Sequence, residues 1–153
     1  MKNLIIYFSY SGTTRKLVTD LNKHFSYDVV EIDRKVPYSL DYDTCAYKEA
    51  KQEIDELLFP EITSLSKNVD DYDRILLFFP IWWYTMPRVI ATLCKKLKGY
   101  KGEIVLFENS YTNDPQYAVD SLKDFKNIDK NLKVSQGLFN KNVNEHIKFI
   151  ESL

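Results

Sequence analysis

Hydrophobic positions along this chain fall into short unbroken runs, separated by segments in which they return every three or four residues. The runs cover residues 3–8, 27–32, 74–79, 103–107 and 132–139. Runs of that length without a helical period read as β-strands, and the uninterrupted Arg74-Ile-Leu-Leu-Phe-Phe79 reads as a central strand covered on both faces. Between them the period changes to that of amphipathic helices. Leu17, Val18, Leu21 and Phe25 mark a helix over 13–25, and Ala46, Ala50, Ile54, Leu57 and Leu58 mark one over 44–58, closed by Pro60. Val89, Ile90, Leu93, Cys94 and Leu97 mark a third, with Pro87 in its first turn, where a missing N–H costs nothing, and Gly99 at its end. Residues 117–125 and 142–150 complete the set, and 33–43 reads as a loop rich in Pro and Asp.

Strand and helix therefore alternate five times, which implies a parallel sheet wrapped on both faces by right-handed crossovers. The expected fold is a single three-layer, doubly wound α/β domain over residues 1–153, without internal repeat or linker. Ligands of such sheets bind at the carboxyl ends of the strands.

Composition narrows the class. A chain of 153 residues that is 44% hydrophobic can bury a substantial core. A formal charge of −1, with both signs mixed along the chain, leaves no broad basic surface for nucleic acid. No apolar run reaches transmembrane length and Met1 leads directly into a strand, so the expectation is a cytoplasmic protein without a membrane partner. Cys45 and Cys94 have no cysteine or histidine at metal-ligand spacing and read as inert, Cys94 in the core.

The candidate chemistry lies in two loops. The first strand runs into Ser9-Tyr-Ser-Gly-Thr-Thr14 at the start of the first helix, where backbone N–H groups lack partners and the helix dipole is positive. Ser9, Ser11, Thr13 and Thr14 offer hydroxyls around that point and Gly12 allows close backbone approach, a combination suited to a phosphate. The same residues also suit plain helix capping and turn formation. The second loop, Pro80-Ile-Trp-Trp-Tyr-Thr-Met-Pro87, follows the third strand. In a sheet of order 2-1-3-4-5 it lies beside the first, and its paired tryptophans would frame a flat aromatic ligand or serve as core anchors.

Other nucleotide folds of this plan fail on their motifs. The glycines are Gly12, Gly99, Gly102 and Gly137, which spell neither a dinucleotide fingerprint nor a P-loop. Asp33 stands near the place of a ribose-binding acid, but without those glycines it reads as a solvated strand end. A phosphorylatable receiver would need acids where this chain has Phe8-Ser9 and Pro80-Ile81.

The segments Tyr7-Phe-Ser-Tyr-Ser-Gly-Thr-Thr-Arg15 and Pro80-Ile-Trp-Trp-Tyr-Thr-Met-Pro-Arg88 resemble the flavodoxin family, in particular its bacterial flavodoxin-like branch. Asp41-Tyr42, Ala50-Lys51, Glu53-Ile54, Pro60-Glu61-Ile62 and Asp70-Asp71-Tyr72-Asp73 carry the likeness through the middle of the chain, which spans roughly residues 2–107 in all. The resemblance implies non-covalent FMN, with the phosphate on Ser9, Ser11, Gly12, Thr13 and Thr14 and the ring against Pro80, Ile81, Trp82, Trp83, Tyr84 and Thr85. Two departures stand out. Tyr84 replaces the glycine usual in Trp-Trp-Gly-Thr, so a positive φ there carries a steric cost, and the loop 108–115 has no glycine, though its Tyr111 could cover the second ring face.

The implied activity is electron transfer through FMN to a redox partner protein or small electron acceptor, by a monomer or homodimer. Two alternatives are an NAD(P)H-dependent quinone or nitro reductase and a binding module that has lost FMN. His24 and His146 read as surface residues, whereas Arg15 and Arg88, each early in a helix that starts at the site, read as candidates for function.

Overall fold

Arg74–Pro80 forms strand β3 at the centre of the sheet in the computed structural model, which describes residues 1–153. Around it lie β1 (Asn3–Tyr7), β2 (Asp28–Glu31), β4 (Glu103–Asn109) and β5 (Lys133–Phe139). The order is β2-β1-β3-β4-β5 and every adjacent pair is parallel, as the alternation of periods requires. The helices are α1 (Thr13–Phe25), a composite α2, α3 (Arg88–Lys96), α4 (Gln116–Ile128) and α5 (Val143–Glu151).

Pleating divides the strand residues between two cores. Leu4, Ile6, Ile75, Leu77, Ile104 and Leu106 pack with Val89, Ile90, Leu93 and Cys94 of α3 and Phe125 of α4. Ile5, Leu76, Phe78, Val105 and Phe107 point the other way, onto Val18 and Leu21 of α1 and Ile150 of α5. These are the three layers of the sandwich. Beside β4 the register slips between Leu106 and Glu108, and Gly137 of β5 fits there because a Cβ would come within 2.6 Å of the Phe107 ring.

The middle helix departs from expectation. α2 comprises Tyr42–Thr44 and Lys51–Asp55 as α-helix, with Cys45–Ala50 between them wound as π-helix. It begins two residues early because the Asp41 carboxylate accepts from Thr44 N–H at 3.0 Å. It stops at Asp55, short of Pro60, because Leu57 takes a left-handed φ of 51° and turns the chain away. The helix expected at 117–125 extends instead over Gln116–Ile128.

Candidate functional site

The carboxyl ends of β1, β3 and β4 converge on a double cleft. Its first part begins at α1, where Gly12 stands at the N-cap with φ 96° and no side-chain cap. The first helical hydrogen bond is Lys16 N–H to Gly12 O, which leaves the amides of Thr13, Thr14 and Arg15 without helical acceptors. Ser9 is buried and its Oγ accepts from Gly12 N–H at 3.2 Å, so it shapes the loop. Ser11 and Thr13 are exposed with their hydroxyls 3.2 Å apart at the helix mouth. Thr14 is buried and donates to Asn109 Oδ1 at 2.7 Å, tying α1 to the end of β4.

Ser11, Thr13, Thr14, Pro80, Ile81 and Trp82 line a cleft of about 470 Å³ with Tyr111 on its rim. Asn109, Ser110, Asn140 and Lys141 close the far side, residues the sequence reading missed although β4 and β5 end there. Ser110 N–H donates to Asn140 Oδ1 at 2.6 Å, so the two loops hold each other. No acidic side chain faces this cleft and Lys141 brings one cation, an electrostatic setting that accepts an anion. Tyr111 is 98% exposed, so its ring is free to lie against a ligand.

The second part lies beyond Trp82, a cleft of about 390 Å³ between α2, the β3–α3 loop and α4. Trp82 is half-buried, edge-on to Phe8, Tyr10 and Tyr38 at 5.2, 5.8 and 5.0 Å between centroids. It is thus both core anchor and cleft wall. Trp83 points to α2, where its indole N–H donates to Ala46 O at 2.8 Å and Tyr47 meets its ring edge-on. Trp82 and Thr85 exchange backbone hydrogen bonds of 2.8 and 3.2 Å around Trp83 and Tyr84, at φ 49° and 72°. Both central residues are left-handed, the geometry of a type I′ turn normally given to Asn and Gly. The cost expected at Tyr84 is therefore incurred twice over. Thr85 turns away from the cleft and donates to Asp124 at 2.5 Å.

A polar network fixes the wall formed by residues 33–50. Arg34 bonds Glu49 at 2.6 Å and Glu53 at 3.1 Å and lies 3.9 Å from the Tyr38 ring centroid, while Tyr38 donates to Glu53 at 2.5 Å. Tyr10 donates to Ser39 O at 2.6 Å, which locks the first loop to the same wall.

Several assigned residues fall elsewhere. Arg88 is buried and donates to Leu58 O at 2.8 Å and Leu57 O at 3.3 Å, so it is a brace for the chain beyond α2, not a ligand group. Arg15 forms an ion pair with Glu31 at 2.8 Å on the surface. His146 is buried against Phe78 and Phe107, with Nδ1 2.8 Å from Asn142 O, which corrects its surface reading; His24 is exposed, as expected, near Glu151. Asp33 is half-buried, not solvated, and desolvation raises its pKa. Cys45 is buried beside the second cleft with its thiol pushed up to about 11, which keeps it protonated and unreactive. Cys94 lies in the core.

A family model described as flavodoxin matches residues 2–150. Among solved structures, a Lactobacillus acidophilus flavoprotein in complex with FMN is 27% identical, covering 97% of this chain and 98% of its own, with a TM-score of 0.79. A Bacteroides eggerthii protein provisionally classed as a flavoprotein is 24% identical, covering 99% and 96%, with a TM-score of 0.83. Oxidised Flavodoxin 1 from Bacillus cereus shares 14% identity over 100% and 99% of the two chains, with a TM-score of 0.52. No curated protein matches the chain. No helix is long and apolar enough to cross a membrane.

Proposed function

The chain belongs to the flavodoxin family, and on that premise we propose that it binds FMN without a covalent bond and passes electrons through it to a partner protein or a small acceptor. The observation that carries this reading is the cleft where the uncapped N-terminus of α1, with its exposed Ser11 and Thr13 hydroxyls, faces Trp82 and Tyr111. One end suits a phosphate dianion and the other a flat aromatic ring. The FMN-bound structure from Lactobacillus acidophilus supports the choice of flavin.

Bound FMN supplies a ring that takes up and returns electrons. The protein holds and shields it. The free amides of Thr13, Thr14 and Arg15 receive the phosphate, the Ser11 and Thr13 hydroxyls donate to it, and Lys141 offsets its charge. Asn109 and Asn140 give the neighbouring wall amide groups for a polyol chain. Trp82, fixed by three surrounding rings, presents a rigid apolar face, and Tyr111 covers from the opposite loop and excludes water. A charge of −1 gives little long-range steering, so partner choice rests on contacts near the cleft.

Titration of the flavin-free protein with FMN and with riboflavin tests the reading, because both carry the ring and only FMN carries the phosphate. FMN should bind at least about tenfold more tightly, the equivalent of one charge-assisted hydrogen bond. Equal affinities would remove the phosphate site, and no binding of either would leave a module without flavin.

A further inference from the structure

We propose that a lysine-rich surface at the amino ends of β4 and β5, bordered by the exposed apolar segment Leu57-Leu58-Phe59, docks this protein on an anionic phospholipid membrane. The proposal does not depend on the flavin reading. Cations and acids are mixed along most of the chain, but residues 95–101 and 126–133 hold seven lysines against the single acid Asp129. The fold brings the two segments together. Lys95, Lys98 and Lys101, at and beyond the end of α3, share one open depression with Ile128, Asp129 and Asn131 at the end of α4.

All seven lysines are exposed, and none forms a salt bridge. The acids beside them are engaged elsewhere. Asp129 accepts from Asn131 N–H at 2.9 Å, and Glu103 is paired with Arg74 at 3.0 Å. Lys95, Lys96 and Lys126 complement the negative ends of α3 and α4, but Lys98, Lys101, Lys130 and Lys133 lie past the last helical turn, where that effect has faded. Their mutual repulsion is uncompensated within the chain.

The apolar border continues from this surface. Beyond α2 the chain crosses α3, where Arg88 donates to Leu58 O at 2.8 Å and Thr92 to Pro60 O at 2.7 Å. The Phe59 ring lies between Arg88 and Lys95, whose Cζ and Nζ stand 4.6 and 3.4 Å from its centroid, so the apolar strip meets the lysines at Lys95. Leu57 is 66% exposed at a φ of 51°, a left-handed conformation that strains a leucine. The turn presents its carbonyl to Arg88, but the leucine side chain, held in water, adds nothing to that.

Lysines bordered by leucines and a phenylalanine are the chemistry of attachment at a lipid interface, where ammonium groups meet lipid phosphates and apolar side chains enter the acyl boundary. Nucleic acid is the poorer match, because the seven cations include no arginine, the residue that reads bases bidentately. An acidic protein face would account for the lysines and not for the leucines. The lack of a membrane-spanning helix does not bear on attachment of this kind. The lysines lie about 20 Å along β4 from Asn109, so docking leaves the flavin cleft open.

The test is flotation of the full-length protein with vesicles of phosphatidylcholine, alone or with about 30% phosphatidylglycerol. The expected result is binding to the anionic vesicles only, abolished as salt rises from about 0.1 to about 1 M and the screening length falls from about 10 to about 3 Å. The triple variant Lys95→Gln, Lys98→Gln, Lys101→Gln should weaken binding about a hundredfold, roughly fivefold for each lysine, with an unchanged urea midpoint. The same change at Lys23, Lys67 and Lys148, exposed lysines outside the patch, should weaken it by less than about threefold. Leu57→Asn, a residue that suits the left-handed φ, should weaken it about tenfold. No binding to anionic vesicles, equal binding to neutral ones, or equal losses in the two triple variants would overturn the proposal. Full binding by Leu57→Asn, or binding to a short DNA duplex as tight as to the vesicles, would make this a general polyanion surface and overturn it as a membrane dock.

Discussion

Replacing Glu108 by Gln should flatten the fall of stability between pH 6.5 and 8. Glu108 lies in the last turn of pleat of β4, one residue before Asn109, and only 3% of it is exposed. Gln136 Nε2 donates to its Oε1 at 2.5 Å, its Oε2 has no partner, and it forms no salt bridge. Burial therefore dominates and pushes its pKa from 4.5 up to about 8, against the smaller lowering by Gln136. The folded protein keeps a proton at pH 7 that the unfolded chain has released.

With the folded pKa above the unfolded one, the contribution is fully present below pH 4.5 and is lost as pH rises through about 8. At about 1.36 kcal/mol per pH unit, tapering near the folded pKa, the loss between pH 6.5 and 8 comes to about 1.6 kcal/mol. His146 acts in the opposite sense. Burial lowers its pKa below 6.5, so its contribution is present above that value and is lost on acidification. From pH 6.5 to 8 His146 can only add stability, so a decline there belongs to Glu108. Urea unfolding of the flavin-free protein, followed by far-UV circular dichroism at half-unit steps, should show the decline in wild type and a flat profile in Glu108→Gln. Parallel profiles would refute the reasoning, since they would mean that Glu108 is ionised in the folded state.

Three other substitutions test separate parts of the site. Tyr111→Ala should leave unfolding free energy unchanged, since the ring is 98% exposed, and weaken FMN by about 0.5–1.5 kcal/mol; flavin titration beside urea unfolding separates the two effects. Arg34→Met leaves Glu53 buried without its cation and should cost about 3 kcal/mol, read as a lower urea midpoint. Tyr84→Gly relieves about 1–2 kcal/mol of left-handed strain and loses about 0.5–1 kcal/mol as chain entropy, so the same measurement should show a change between none and a gain of about 1.5 kcal/mol, and no loss.

The parts of the fold legible in the sequence are those where one physical requirement dominates. β3 could be read because a strand covered on both faces must be apolar throughout, and the loop from β1 into α1 because a strand that runs into hydroxyls, a glycine and a helical period leaves few conformations. His146 was open to a better reading, since it lies four residues before the buried Ile150 on the same face of α5. Arg88 was not. Its burial depends on Leu57 turning left-handed, which points the Leu57 and Leu58 carbonyls at α3, and a leucine in that conformation has no signature. The aromatic rim of the second cleft is equally opaque, because Tyr42 reads as part of a loop and Tyr47 as the exposed side of a helix until the turn opposite them is in place.

That turn shows how contacts far apart in sequence override local preference. Trp83 and Tyr84 are poor residues for a type I′ geometry, and a two-residue turn built from them has no local reason to form. Its support comes from outside. The indole of Trp83 is held by α2, Tyr84 leans on Tyr117 of α4, and Thr85 is anchored to Asp124. Each bond joins the turn to a helix on one side of the cleft, so the strain is sustained by the same elements that form the aromatic walls. With glycine at position 84 the backbone could adopt several conformations at similar cost, whereas with tyrosine only the supported one is stable. The consequence is a fixed aromatic rim, whose geometry is set before any ligand arrives, and a site whose selectivity rests on shape and stacking more than on movement.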